Sequence, residues 1–204
     1  MPTTQLGVAK LDITPRKPLP LAGFAARQGP SEGVSHPLFV RAFFFTQDAP
    51  GGVERRALVV SADLLGWGQD RLPALRQRLL ERWQLGEEAV VLSATHTHSG
   101  PQTSVRLVSS VGTPDPDYIE YLETQLFAAI EQAYTNREPI TVERGAGISD
   151  IGINRRKLVD GAIRMAPNPD GPTDPAVTVL RFRTATGGTK GVLVHYTCHP
   201  TTTA

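Results

Sequence analysis

Apolar residues recur at every second position in several short runs and at every third or fourth position in two longer ones, and these two periods lay out the chain. Residues 5–14 alternate as a first strand does and are closed by Pro15. The stretch from there through His36 is rich in glycine and proline and reads as an ordered loop. Leu38 to Thr46 and Arg56 to Ala62 are β-rich, and the Gln-Asp-Ala-Pro-Gly-Gly-Val-Glu between them has turn chemistry, so a hairpin is expected whose second strand ends at Asp63. Leu72, Leu75, Leu79 and Trp83 carry the helical period over 70–85, with Gly86 as its C-terminal glycine. Residues 89–94 are almost wholly apolar, as in a short strand covered on both faces.

Thr95 to Pro114 reads as a long loop, and long loops in compact domains are usually functional. A second helix follows: Asp115 suits the N-cap, Pro116 the first turn, and Tyr118, Leu122, Leu126, Ala129 and Ala133 mark one face up to Asn136. A strand is expected over 140–146, loop over 150–175, and a closing hairpin over 176–183 and 190–197 around Thr-Gly-Gly. Alternating strands and helices that end in a hairpin define an α/β class with a mixed β-sheet flanked by helices. No repeat or flexible linker interrupts it, so residues 1–204 are read as a single domain.

Composition changes this picture little. Hydrophobic residues make up 40% and charged residues 20% of the 204, a balance that suits a packed core. Net charge is +1 with no basic block, which argues against nucleic acid as a partner. No run approaches the ~18 apolar residues of a membrane span, so no stable membrane insertion is expected. The N-terminus lacks a basic segment followed by an apolar run. Cytoplasmic location is therefore the default, though a secreted chain with its leader removed would read the same. Cys198 stands alone and cannot form an intrachain disulfide.

The candidate chemistry lies in the histidines, of which there are five. Ser93-Ala94-Thr95-His96-Thr97-His98-Ser99-Gly100-Pro101 follows a buried strand directly, where α/β proteins tend to place ligand sites. Alternate residues share a face, so His96 and His98 are a natural pair of zinc ligands, or one ligand and one substrate partner. The plain alternative is two histidines bonded to loop backbone. His195 and His199 sit at the end of the last strand run. His195 in mid-strand reads as a surface or core histidine, His36 before a proline is undecided, and His199 in Cys-His-Pro-Thr is the better ligand candidate.

Thr95-His96-Thr97-His98-Ser99-Gly100-Pro101 resembles the signature of the neutral/alkaline, non-lysosomal ceramidase family. Gly7 to Pro15, Leu21-Ala22-Gly23-Phe24, Arg41-Ala42, Val60 to Asp63, Ile153-Asn154-Arg155-Arg156, Asp174-Pro175 through Phe182, and His199-Pro200-Thr201 resemble its further segments in order. The resemblance implies a zinc ion (Zn²⁺) as cofactor, with His96 and His199 as ligands whose ring nitrogens approach within one metal's reach. It makes His98 a substrate-contacting active-site residue and Arg155 a cation for substrate or a developing oxyanion, with Arg156 turned to solvent. Asp63 is assigned to support a metal-bound imidazole, since such rings need a partner on their other nitrogen; a turn or cap aspartate is the alternative.

The implied reaction is hydrolysis of the N-acyl bond of ceramide or a related lipid or small N-acyl compound. Two other readings stay open: an amide or ester hydrolase of a small soluble substrate, and a non-catalytic metal-binding domain. The family also uses a glutamate, a tyrosine and a serine farther along the chain. The sequence stops soon after its last strand, so it is expected to be the N-terminal part of a larger catalytic domain.

Overall fold

The structure is a computed structural model and describes residues 3–106 and 112–201. The chain divides into two compact units, one of residues 1–140 with 200–204 and one of residues 141–199. The expected α/β class with a mixed sheet and two helices is what the fold shows.

The first unit holds β1 (Thr4–Asp12), β2 (Phe39–Asp48), β3 (Glu54–Ala62), α1 (Leu72–Trp83), β4 (Val90–Ala94) and α2 (Pro116–Thr135). Its strands lie in the order β4-β3-β2-β1, followed by the start of β5 (Glu138–Ile148). β1, β2 and β3 are antiparallel neighbours, and β4 runs parallel to β3. That mixture follows from the connections. A tight turn joins β2 to β3, whereas α1 intervenes between β3 and β4, as a parallel pair requires.

The core lies between sheet and helices. α2 buries Tyr118, Leu122, Leu126, Phe127, Ala129, Ile130 and Ala133, and α1 buries Leu75, Leu79 and Trp83. They meet Val40, Ala42, Phe44, Leu58 and Val60 of the sheet in one cluster. Trp83 and Phe127 stack at 6.0 Å between ring centroids, which ties the two helices together. Gly7 lets α2 approach β1, because a Cβ there would run into the Ala133 carbonyl. Asn136, ending α2, receives Val8 N–H on Oδ1 at 3.0 Å and donates from Nδ2 to the Val8 carbonyl at 2.9 Å.

The second unit holds the rest of β5, β6 (Arg156–Val159), β7 (Ala162–Met165), β8 (Ala176–Thr184) and β9 (Thr189–Tyr196). β8 lies between β5 and β9, and β6 and β7 form a separate hairpin. The loop expected over 150–175 is therefore interrupted by a hairpin. β4 also departs from expectation: it is an edge strand with Val91 exposed, not a strand covered on both faces. Of the long loop expected after it, residues 107–111 lie outside the described residues. Among the described residues no helix is long and apolar enough to cross a membrane.

Candidate functional site

In the first unit the histidine loop leaves the C-terminal end of β4, and its backbone sorts its own side chains. His96 adopts a left-handed conformation, φ 61°, which only a few non-glycine residues take. Beyond it, His96 and His98 line one cavity, of about 320 Å³, while Thr95, Thr97 and Ser99 line another, of about 870 Å³. The period of two seen in the sequence thus survives past the end of the strand.

His96 is exposed, and its Nδ1 lies 2.7 Å from the Leu65 carbonyl oxygen. A carbonyl can only accept, so Nδ1 carries the proton and the neutral ring has its lone pair on Nε2. This is the arrangement by which proteins orient an imidazole for metal. Leu65 belongs to the segment after β3, and that segment is fixed at three further points. Trp67 Nε1 donates to the Ser93 carbonyl at 3.1 Å, and Thr103 Oγ1 donates to the Gly66 carbonyl at 2.5 Å. Ser104 Oγ donates to Asp70 at 2.9 Å.

His98 is buried against the glycine loop after β1. Gly23, at φ 101°, has room for no side chain, since a Cβ would strike His98 Nδ1. Phe24 meets the imidazole edge-on at 4.8 Å between centroids. Arg27 Nη1 donates to the His98 carbonyl at 2.8 Å, and the Ala22 N–H donates to Gly100 at 2.8 Å. The His96 and His98 rings stand 5.2 Å apart, nearly perpendicular. The sequence motif alone carried no sign that residues 23–27 hold the second histidine.

Asp63 closes the β2–β3 pair. Its carboxylate accepts from Phe39 N–H at 2.9 Å and from Arg41 Nη1 at 3.0 Å, and its own N–H donates to the Phe39 carbonyl. These bonds are those of a strand-end aspartate. The carbonyl of Leu65 stands at His96 Nδ1, where a supporting carboxylate would be sought.

In the second unit, Asn154 and Arg155 extend the β6–β7 ladder. The Arg155 carbonyl accepts from Ala166 N–H at 3.2 Å, and the Asn154 carbonyl accepts from Asn168 N–H at 2.8 Å. So anchored, the half-buried Arg155 donates from Nη2 to His199 Nδ1, while Arg156 is exposed. Guanidinium has no lone pair, so His199 Nδ1 must offer its own. His195 is exposed on β9. The unit ends at His199, and Pro200 and Thr201 belong to the first unit.

The donor chemistry of the first unit fits a zinc ion: an imidazole at His96 whose Nδ1 is committed to a carbonyl, so that Nε2 is the nitrogen for a metal. His199 fits it once its Nδ1 lone pair is released from Arg155, or once the ring carries its proton there.

A mixed-sheet α/β unit that sets a paired-histidine loop at a strand end is the class the geometry defines. Residues 4–204 match the family model for neutral/alkaline non-lysosomal ceramidase, N-terminal, and the chain belongs to that family. It is 26% identical over 209 residues to a neutral ceramidase of Pseudomonas aeruginosa, covering 97% of this chain and 30% of that one. Against neutral ceramidase 3 of Arabidopsis thaliana it is 30% identical over 170 residues, covering 80% and 21%. The crystal structure of the P. aeruginosa neutral ceramidase superposes with a TM-score of 0.78 at 26% identity, covering 94% of this chain and 31% of that one. A ceramidase complexed with C2 gives a TM-score of 0.77 at the same identity. The chain therefore spans less than a third of the length of these relatives.

Proposed function

We propose that this chain supplies the N-terminal part of the catalytic domain of a zinc-dependent amide hydrolase that cleaves N-acyl bonds, with ceramide or a related N-acyl compound as substrate. The observation that carries the reading is the fixed ring of His96, whose Nδ1 is committed to the Leu65 carbonyl so that Nε2 offers its lone pair. Family membership and the ceramidase relatives supply the reaction class.

His96 and His199 are the residues that would hold the metal, which supplies Lewis acidity toward a carbonyl oxygen and toward water. His98, its ring wedged between Gly23 and Phe24, presents an imidazole to the substrate beside His96. Arg155 brings a guanidinium that offers hydrogen bonds to an oxygen that gains negative charge in the tetrahedral transition state. Such donors act because they need no reorganisation as charge develops. The bonds from Ala166 and Asn168 to the backbone around Arg155 serve that end.

Zinc titration by calorimetry tests the reading. The wild-type chain should bind one zinc, and His96→Ala should weaken binding by more than the roughly 10–100-fold that loss of an outer partner costs. His36→Ala, on the loop before β2, should leave it unchanged. In an enzyme that hydrolyses an N-acyl substrate with this chain as part of its catalytic domain, His96→Ala should abolish that hydrolysis without lowering the melting temperature. Zinc binding equal in wild type and His96→Ala would sink the proposal.

A further inference from the structure

The cavity beside the histidines has a wall that the metal chemistry does not use. Leu65 and Trp67 line it together with Gly23, Gly66, His96, His98 and the 102–104 segment. Trp67 spends its one polar atom on the Ser93 carbonyl, so the rest of the indole is an apolar surface held at a fixed angle. Leu65 spends its carbonyl on His96, which leaves its side chain as the other apolar element. Gly68 brings the segment hard against 102–104, because a Cβ there would meet the Thr103 carbonyl. The wall is therefore built before any ligand arrives. Its volume, about 320 Å³, stands at the small end of the roughly 300–1,000 Å³ of small-molecule sites.

We infer that the Leu65–Trp67 wall receives the first part of the substrate's acyl chain, an unbranched alkyl arm, and sets how long an arm the cavity encloses. The inference rests on the hydrolase reading for the identity of the arm. A carbonyl carbon held at His96 has its alkyl substituent one bond away, and the cavity that His96 lines is walled by Leu65 and Trp67. An arm lying there is shielded from water by Leu65 and Trp67 and meets no charged side chain among the cavity's lining residues. Trp67, the largest lining side chain, is the specificity-determining residue, and chain beyond its reach runs out into solvent or onto other surface.

The test uses the 204-residue chain and n-alkyl carboxylates from butanoate to dodecanoate, with n-alkylamines of the same lengths alongside. Affinity is read by calorimetry and location by tryptophan emission. Trp83, the other tryptophan, is buried in the core and does not line the cavity. Carboxylate affinity should climb by about fourfold per methylene up to a limiting length and then flatten. Trp67→Ala, which removes the shielding wall, should move that limit to shorter chains. Trp67→Phe, which keeps an aromatic wall and guards against misfolding, should keep the climb and lose the emission change.

An emission change that persists in Trp67→Phe overturns the inference, as does a limit that Trp67→Ala leaves in place. So does a chain-length series seen with the amines and not with the carboxylates. Failure of the two readings is separable: an intact alkyl series without zinc binding removes the hydrolase and keeps the wall, and zinc binding with a flat series does the reverse.

Discussion

Along β1, β2 and β3 of the first unit, side chains of one face run under α1 and α2. The second unit has no helix of its own among the described residues, and along its part of β5 and along β8 and β9 apolar side chains reach the surface on both faces. Val192 and Val194 stand on the same face as Val179. Gly145 shares that face, so Val142 and Ile148, an odd number of residues from it along β5, stand on the other; all four are exposed. Phe182 is the one buried hydrophobic side chain within 141–199 among the described residues, against more than twenty in the first unit's cluster. The difference shows where precision is stored. The histidine pair on the first unit is braced by a packed core, whereas the histidine of the second is held by Arg155 and a short ladder. Core truncation gives the largest expected effect. Leu79→Ala should cost about 2–5 kcal/mol in urea unfolding, and Val194→Ala no more than about 0.5 kcal/mol. Equal losses would break the comparison.

A finer probe addresses the two histidines themselves. The proton of His96 is placed by a carbonyl, which cannot compete with a cation for Nε2. The lone pair of His199 at Nδ1 is taken by a guanidinium, which competes for it by both hydrogen bond and like charge. A hydrogen bond to a charged group is worth about 1.5–3 kcal/mol net. If His199 is a ligand, Arg155→Ala should therefore raise zinc affinity, by roughly tenfold or more, while slowing whatever N-acyl hydrolysis the proposed function gives the enzyme. Tighter zinc with slower turnover separates a positioning and charge-stabilising arginine from a structural one, whose loss would weaken both. Unchanged zinc affinity would remove His199 from the ligand set.

Most of the fold was legible because the first unit obeys its local signals. The period of Leu75, Leu79 and Trp83 and the face from Tyr118 to Ala133 are the faces buried, and Asp115 accepts from Tyr118 N–H as an N-cap should. The start and stop of α1 were less legible. The helix begins at Leu72 and not at residue 70, with Arg71 at its N-cap making no capping side-chain bond, and Gln84, not Gly86, takes the left-handed turn at φ 55°. The β6–β7 hairpin was missed since its strands have four residues each, all exposed, so no burial pattern marks them. A signal was present: Asp160 and Gly161, both at positive φ, form the two-residue Asp-Gly loop that favours a hairpin. At the site, His96 and His98 could be named from the motif, but the Leu65 carbonyl could not. A backbone acceptor has no residue-type signature, and only the fold places it at an imidazole.

The smallest expected effect concerns the end of α2 nearest the loop after β1. Asp115 caps that helix, and Lys17 pairs with it at 3.0 Å. The Tyr118 N–H, and after it Lys17, hold the Asp115 carboxyl below its ordinary 3.8, while Asp115 and Asp117 hold the Lys17 ammonium above its ordinary 10.5. The sign follows from the depressed carboxyl. Its contribution to stability is complete above the unfolded value and is lost as pH falls through the lower folded one. Asparagine caps a helix about as well as aspartate but carries no charge for Lys17 or the helix dipole. Asp115→Asn should therefore melt slightly below wild type at neutral pH, and the gap should close as pH falls below about 4. Lys17 is exposed, so salt should narrow the gap as well. Thermal melts of the two proteins from neutral to acid pH, at low and high salt, measure it. A gap that stays constant down to acid pH would show that the cap's geometry acts alone, and that the charge on Asp115 adds nothing to the packed unit.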